Sequence, residues 1–192
     1  MSVLSGVFHF PGSLDHPSLV GSFPEASPLG TTLWTSRRSV LYSVGEPVSG
    51  DRVHRAVLEV DGSSTAAVVL GRIHDGSVSD LRALGFGAAC RNSAEVAISA
   101  YTAWGEGFVG RLGEECSVIL WDEGAARLVL ANGTASPDLL RFRRVRDRVH
   151  VHNVLRPTRT GGARGAAAWE VAQHEATFDS VCAGGRTTLH AA

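Results

Sequence analysis

The chain contains no lysine; all 18 of its basic side chains are arginine. Beside so much Ala, Gly and Val, this points to a GC-rich bacterial gene rather than to a chemical demand for guanidinium. Charge of either sign is also missing in excess. The formal net charge is -1, which removes the usual electrostatic argument for nucleic acid or an anionic membrane surface. Cysteine is scarce: Cys90, Cys116 and Cys182 are odd in number, scattered, and without paired metal-ligand spacing. That speaks against a disulfide framework and makes reduced thiols the default reading; neither a metal nor a cofactor is expected. No apolar run approaches the length of a membrane span. The opening Met1-Ser2-Val3-Leu4-Ser5-Gly6 lacks the basic lead and long apolar core of a signal peptide. The expected location is cytoplasmic. No repeat recurs at a solenoid period.

What is present is enough apolar material, 44% of 192 residues, to build the core of one domain with or without a tail. Residues 3–10 read as a first strand stopped by Pro11-Gly12. Residues 13–30, rich in Pro, Gly and Ser, read as loop with room for one short helix. Residues 31–34 and 39–44 read as a strand pair, and 45–50 as a loop. Residues 56–60 and 65–70 flank Asp61-Gly62, a hairpin turn. Asp75 or Ser77 is a candidate cap for a short helix reaching about Leu84. Asn92 followed by Glu95 fits a capping box for a second helix, with Ala97, Tyr101 and Trp104 on its apolar face.

The most informative stretch is Tyr101 to Leu155. A helix over 101–112 places Trp104 and Phe108 on one face. Residues 116–121 (Cys-Ser-Val-Ile-Leu-Trp) are apolar with almost no alternation, as in a strand covered on both sides. Asp122 to Ala125 has turn chemistry, residues 127–132 form another strand, and 139–145 with 148–154 form a hairpin. Residues 156–165 read as a flexible linker and 166–178 as a helix.

Tyr101-x-x-Trp104-Gly105, then Leu112 and its glycine, then a strand ending in Leu120-Trp121-Asp122, then Arg127-Leu-Val-Leu-Ala131, resembles the N-terminal domain of asparagine-synthetase-like proteins, a class II glutamine amidotransferase domain. The resemblance covers some fifty residues. It implies an α+β fold, the four-layer αββα sandwich of N-terminal-nucleophile hydrolases. It also divides the chain into an amidotransferase-like domain over 1–155 and a linker with helical tail over 156–192. The tail's Gly185-Arg-Thr-Thr-Leu189 is similar to the family's lead-in to an ATP-using synthetase domain, whose pyrophosphate-binding loop has no counterpart here.

Carried over residue by residue, the resemblance implies a degenerate pocket. Ser2 stands where the family's nucleophilic Cys follows the initiator Met. Leu70 replaces the Asn whose amide donates to the oxyanion, in Leu70-Gly71-Arg72 against the family's Asn-Gly-Glu. Losing one such donor typically costs ~3 kcal/mol of barrier. Arg72 reverses a charge, and Ser93 removes the Asp that holds the α-ammonium of glutamine. Arg38 matches the Arg that grips the α-carboxylate, and an exposed strand-end arginine reads the same way. Gly133 and Asp138 also depart from the family pattern. The nearest character is that of β-lactam synthetases and lasso-peptide cyclases, whose first domain lacks the Cys.

Four other features carry chemistry of their own. His150-x-His152 places two imidazoles on one strand face, without a third ligand by spacing. Arg141, Arg143, Arg144, Arg146 and Arg148 read as a solvated basic edge. Asn132-Gly133-Thr134 reads as a turn, and Cys116 as a small hydrophobe. The leading expectation is a non-catalytic domain that partners a separate ATP-dependent amide-forming synthetase in natural-product biosynthesis, with apolar Trp169, Val171, Phe178 and Val181 exposed for contact and a homodimer also compatible. The alternatives are a Ser2-dependent amidohydrolase or acyltransferase, and a degenerate fragment of a longer gene.

Overall fold

A computed structural model describes residues 3–10, 30–36, 39–44, 53–60, 63–86, 90–145, 148–155, 170–171, 175–179 and 188–190. In chain order the described strands are β1 (Val3–His9), β2 (Gly30–Thr35), β3 (Ser39–Val44), β4 (Val53–Val60) and β5 (Ser63–Gly71). Helices α1 (Asp75–Ala83) and α2 (Ser93–Trp104) follow, then a 3-10 turn (Gly105–Phe108) and the short α3 (Val109–Leu112). The chain then returns to strands: β6 (Cys116–Asp122), β7 (Arg127–Asn132), β8 (Asp138–Val145), β9 (Arg148–Leu155), β10 (Glu170–Val171), β11 (Glu175–Asp179) and β12 (Thr188–His190).

These strands form two six-stranded sheets, ordered β10-β8-β9-β1-β3-β2 and β12-β11-β7-β6-β5-β4. Every pairing is antiparallel. One core lies between the sheets: Leu4, Phe8, Leu41, Leu140, Phe142, Val149 and Val151 of the first meet Val68, Leu70, Ile119, Trp121, Leu128 and Leu130 of the second. Trp121 is its centre, with its ring 5.6 Å from those of both Phe8 and Phe10. The other core lies between the second sheet and the helices. There Val69, Val118, Leu120 and Val129 pack on Leu81, Ala97, Ile98, Phe108 and Leu112. β6 contributes alternate residues to both cores, which is why it reads as continuous apolar sequence. The described residues thus stack as helices, sheet, sheet, a mixed α+β architecture.

Local chemistry explains the helix ends. Asn92 Oδ1 accepts from the backbone N–H groups of Ala94 (2.9 Å) and Glu95 (3.0 Å), while the Glu95 carboxylate accepts from Arg91 N–H. The box is therefore shifted by one residue on its return arm. α1 is capped by His74, whose Nδ1 accepts from Gly76 N–H at 3.1 Å; Asp75 and Ser77 lie inside the helix instead. The helix expected over 101–112 is interrupted at Gly105 (φ +60°), where the chain re-enters as a 3-10 turn. Tyr101 and Phe108 still meet edge to face at 5.6 Å.

Two further expectations need correction. Within 166–178 the described residues are strands: β10 pairs with β8, and β11 with β7. Open sheet edges at β8 and β7 offer ladder hydrogen bonds that outweigh the local helix propensity of this Ala-rich segment. The arginine-bearing β8 is covered at Arg141 and Phe142 by the two-residue β10, while Arg143 and Arg144 are exposed as expected. The loops at 45–50 and 156–165, the turn residues Asp61 and Gly62, Trp169, Val181 and the side chains of Val171 and Phe178 lie outside the described residues.

Candidate functional site

β1 lies in the interior of its sheet, between β9 and β3. Near its start it is held by a side chain of the neighbouring β9: Leu4 N–H donates to buried Asn153 Oδ1 at 2.6 Å. Asn153 Nδ2 in turn donates to Asp138 Oδ1 at 3.0 Å. Behind them, the Ser117 hydroxyl reaches the Asp138 carbonyl at 2.6 Å and Ser136 Oγ at 2.9 Å. Ser117, Ser136, Asn132 and Asn153 are all buried. The strand ends at β1, β6, β7, β8 and β9 thus converge on one polar cluster at one end of an otherwise apolar sandwich. Every contact in it satisfies a buried group that would otherwise cost about 1–3 kcal/mol.

The loops at this end knit together closely. Gly133 N–H donates to the Cys116 carbonyl at 2.7 Å, Ala135 N–H to the Glu114 carbonyl at 2.9 Å, and His74 N–H to the Leu112 carbonyl at 3.0 Å. A cleft of about 480 Å³ opens beside them, lined by Arg72, His74, Asp75, Gly113, Glu114 and Glu115. Arg72 Nη2 and Asp75 Oδ2 are paired across its mouth at 2.9 Å, both largely exposed. An ion pair so open to water contributes little to stability, but it fixes the charge that a ligand entering the cleft would meet.

The residues singled out from sequence distribute as follows. Ser2 and Arg38 lie outside the described residues; Ser36, which precedes Arg37 in the chain, donates its N–H to the Ser39 carbonyl at 2.8 Å. Leu70 is 2% exposed, with its side chain in the inter-sheet core. Gly71 follows it at φ +92°. Arg72 lines the cleft. Ser93 begins α2, and the adjacent Asn92 reaches the Arg55 carbonyl on β4 at 3.4 Å. Ser93 therefore sits by β4 and does not line the cleft. The structure brings 70–72 together with the polar cluster and leaves Ser93 apart.

Cys116 is buried, and burial pushes its thiol up to about 11. It is uncharged at neutral pH and unsuited to nucleophilic attack. His150 and His152 are half-buried on the outer face of the first sheet, flanked across strands by Arg143 and Arg141. Burial and these guanidinium groups hold both imidazoles below their ordinary range. Among the described residues, no three His, Cys, Asp or Glu side chains are grouped to hold a metal ion, and no helix is long and apolar enough to cross a membrane.

Sequence reasoning missed Ser117, Asn132, Ser136, Asp138 and Asn153 as a group. The available signal was a polar residue at the end of each apolar strand. Compared with protein-family models and with curated proteins, the chain matches none of them.

Proposed function

We propose that this chain is a catalytically silent, class II amidotransferase-like domain that serves as a scaffold for a separate ATP-dependent amide-forming synthetase of a bacterial natural-product pathway. In this reading the two facing sheets and the helices against one of them are three layers of the four-layer αββα sandwich. The observation that carries it is Leu70. At the position that the resemblance assigns to the oxyanion donor, the side chain is apolar and sunk in the inter-sheet core. It offers no hydrogen bond to a developing oxyanion. Arg72 beside it brings a cation, already paired with Asp75, to a position the resemblance gives to a carboxylate.

The test is a paired assay. The purified chain is incubated with glutamine and ammonia release is followed; then it is mixed with the synthetase encoded beside it, and complex formation and ATP-dependent amide formation are measured. The reading expects no ammonia above the uncatalysed background, and a stoichiometric complex in which amide formation depends on this chain. Glutamine hydrolysis at an enzymatic rate overturns it.

The buried chain Leu4–Asn153–Asp138 favours one other reading, a Ser2-dependent amidohydrolase or acyltransferase, because it anchors the backbone two residues after Ser2. That chemistry requires a free α-amine on Ser2. Intact mass decides it: retention of Met1 removes the amine and the activity together.

A further inference from the structure

The two sheets have four edges, and three are short or irregular. β10 has two residues and β12 has three. β2 carries a register shift between Thr32 and Trp34, a bulge that spoils an edge for pairing. β4 differs from all of these. It has eight residues, VHRAVLEV, without proline, and it pairs with β5 in unbroken register from Val53↔Leu70 to Val60↔Ser63. Among the described residues, no strand pairs with its other side. Long, regular edges without such defences are templates for another strand.

The edge is also apolar on both faces at its midpoint. Val57 is 48% exposed and Leu58 47%, the former on the inter-sheet side and the latter on the helix side. Next to Leu58, a groove of about 400 Å³ runs between β4 and α2, lined by Ala56, Cys90, Ile98 and Ser99 among others. The Arg55 carbonyl faces off the edge, where Asn92 Nδ2 reaches it at 3.4 Å, the long limit of a hydrogen bond, and a pairing strand takes this acceptor from Asn92. Backbone groups of alternate residues point the same way, so Val57 and Glu59 present theirs to the same side.

The sequence of this strand is self-complementary about Val57. We propose that β4 is a homodimer edge, pairing antiparallel with β4 of a second copy about a two-fold axis at Val57. In that register Val57 faces its own copy, and each Arg55 position faces a Glu59 position of the other chain. Opposite charges directly across an antiparallel pair stabilise it, and like charges oppose it. The same register sets Leu58 of one chain opposite Ala56 of the other, over the groove beside α2. The pairing joins the two second sheets into one continuous sheet, and the contact is isologous, as two-fold symmetry requires.

Sedimentation equilibrium on the full chain tests this. The wild type is expected as a dimer at micromolar concentration. Arg55→Glu and Glu59→Arg each place like charges opposite one another twice, and each weakens dimerisation about tenfold or more. The double charge swap restores it. Far-UV circular dichroism identifies any variant that has simply unfolded. As a second readout independent of charge, Val57→Cys forms a 57–57 disulfide on mild oxidation, because the paired Cα atoms lie about 5.5 Å apart. His54→Cys does not, since its copies lie about 20 Å apart in this register. A monomer at 100-fold higher concentration, a double swap no better than the single variants, or linkage at 54 instead of 57 overturns the proposal.

Discussion

Asn132 and Leu140 exchange two hydrogen bonds across the join between the sheets. Leu140 N–H donates to Asn132 Oδ1 at 2.7 Å, and Asn132 Nδ2 donates to the Leu140 carbonyl at 3.1 Å. The side-chain amide of the last residue of β7 thus stands in for a neighbouring strand beside β8. Both ends of the exchange are buried. Replacing Asn132 by Ala leaves a buried N–H and a buried C=O without partners, at about 1–3 kcal/mol for each group. Urea unfolding of Asn132→Ala is therefore expected to show a loss of about 2–6 kcal/mol with an unchanged m-value. A loss under 1 kcal/mol counts against this account of the join.

Gly71 and Gly105 both have positive φ, yet substitution should affect them unequally. A Cβ on Gly71 would clash with the Glu115 carbonyl oxygen, against backbone that the β5–β6 ladder holds in place. A Cβ on Gly105 meets nothing within 4 Å. Gly105→Ala meets no clash, but it must hold φ +60° and ψ -139°, a region that few residues besides glycine adopt, at about 1–3 kcal/mol. Gly71→Ala adds a clash and is expected to lose about 3 kcal/mol or more, or to yield no soluble chain. Thermal melts of the two variants side by side check the ranking; equal losses refute it.

How much of this was legible in the sequence depended on how local each cause was. β6 could be read because two cores clamp it, so its burial is written into consecutive residues. The pairs β4–β5 and β8–β9 could be read because only two residues separate their strands in the sequence. The His74 cap could not, because an imidazole nitrogen serving as acceptor lies outside the usual capping set. Nor could β10 and β11, whose partners lie in β8 and β7, far back along the chain. The candidate site divides the same way. Leu70, Arg72 and Asp138 stood out against a motif, whereas Asn153 and Ser117, which join Asp138 in the cluster, come from two other strands and share only the place where those strands end.

Tyr101 links α2 to the far end of β6. Its hydroxyl donates to Asp122 Oδ2 at 3.1 Å, and burial, then the Asp122 charge and hydrogen bond, push the phenol from 10.0 up to about 12. A phenol whose folded pKa exceeds its unfolded value keeps its proton longer in the folded state. Its contribution to stability is fully present below pH 10 and is lost as pH rises from 10 through about 12. Tyr101→Phe is expected to cost about 0.5–1.5 kcal/mol at neutral pH and to flatten the stability profile between pH 10 and 12. Denaturation series at pH 8, 10 and 11.5 measure both effects. An unchanged alkaline slope in the variant removes Tyr101 as its source.

His150 and His152 set the opposite limit. For His150 the downward push comes from burial, then Arg148 and Arg143; for His152 it comes from burial, then Arg141. With folded values below 6.5, the unfolded chain binds more protons than the folded one between those values and 6.5, so stability rises with pH there. The contribution is present above pH 6.5 and is lost as the solution is acidified through the folded values. Replacing both by Asn removes the titration while keeping a polar side chain on each position. Wild-type stability should fall between pH 7 and pH 5 more steeply than that of His150→Asn/His152→Asn, and chloride or phosphate should lessen the fall by screening the neighbouring guanidinium groups. Parallel profiles for the two proteins would place the acid sensitivity elsewhere in the chain.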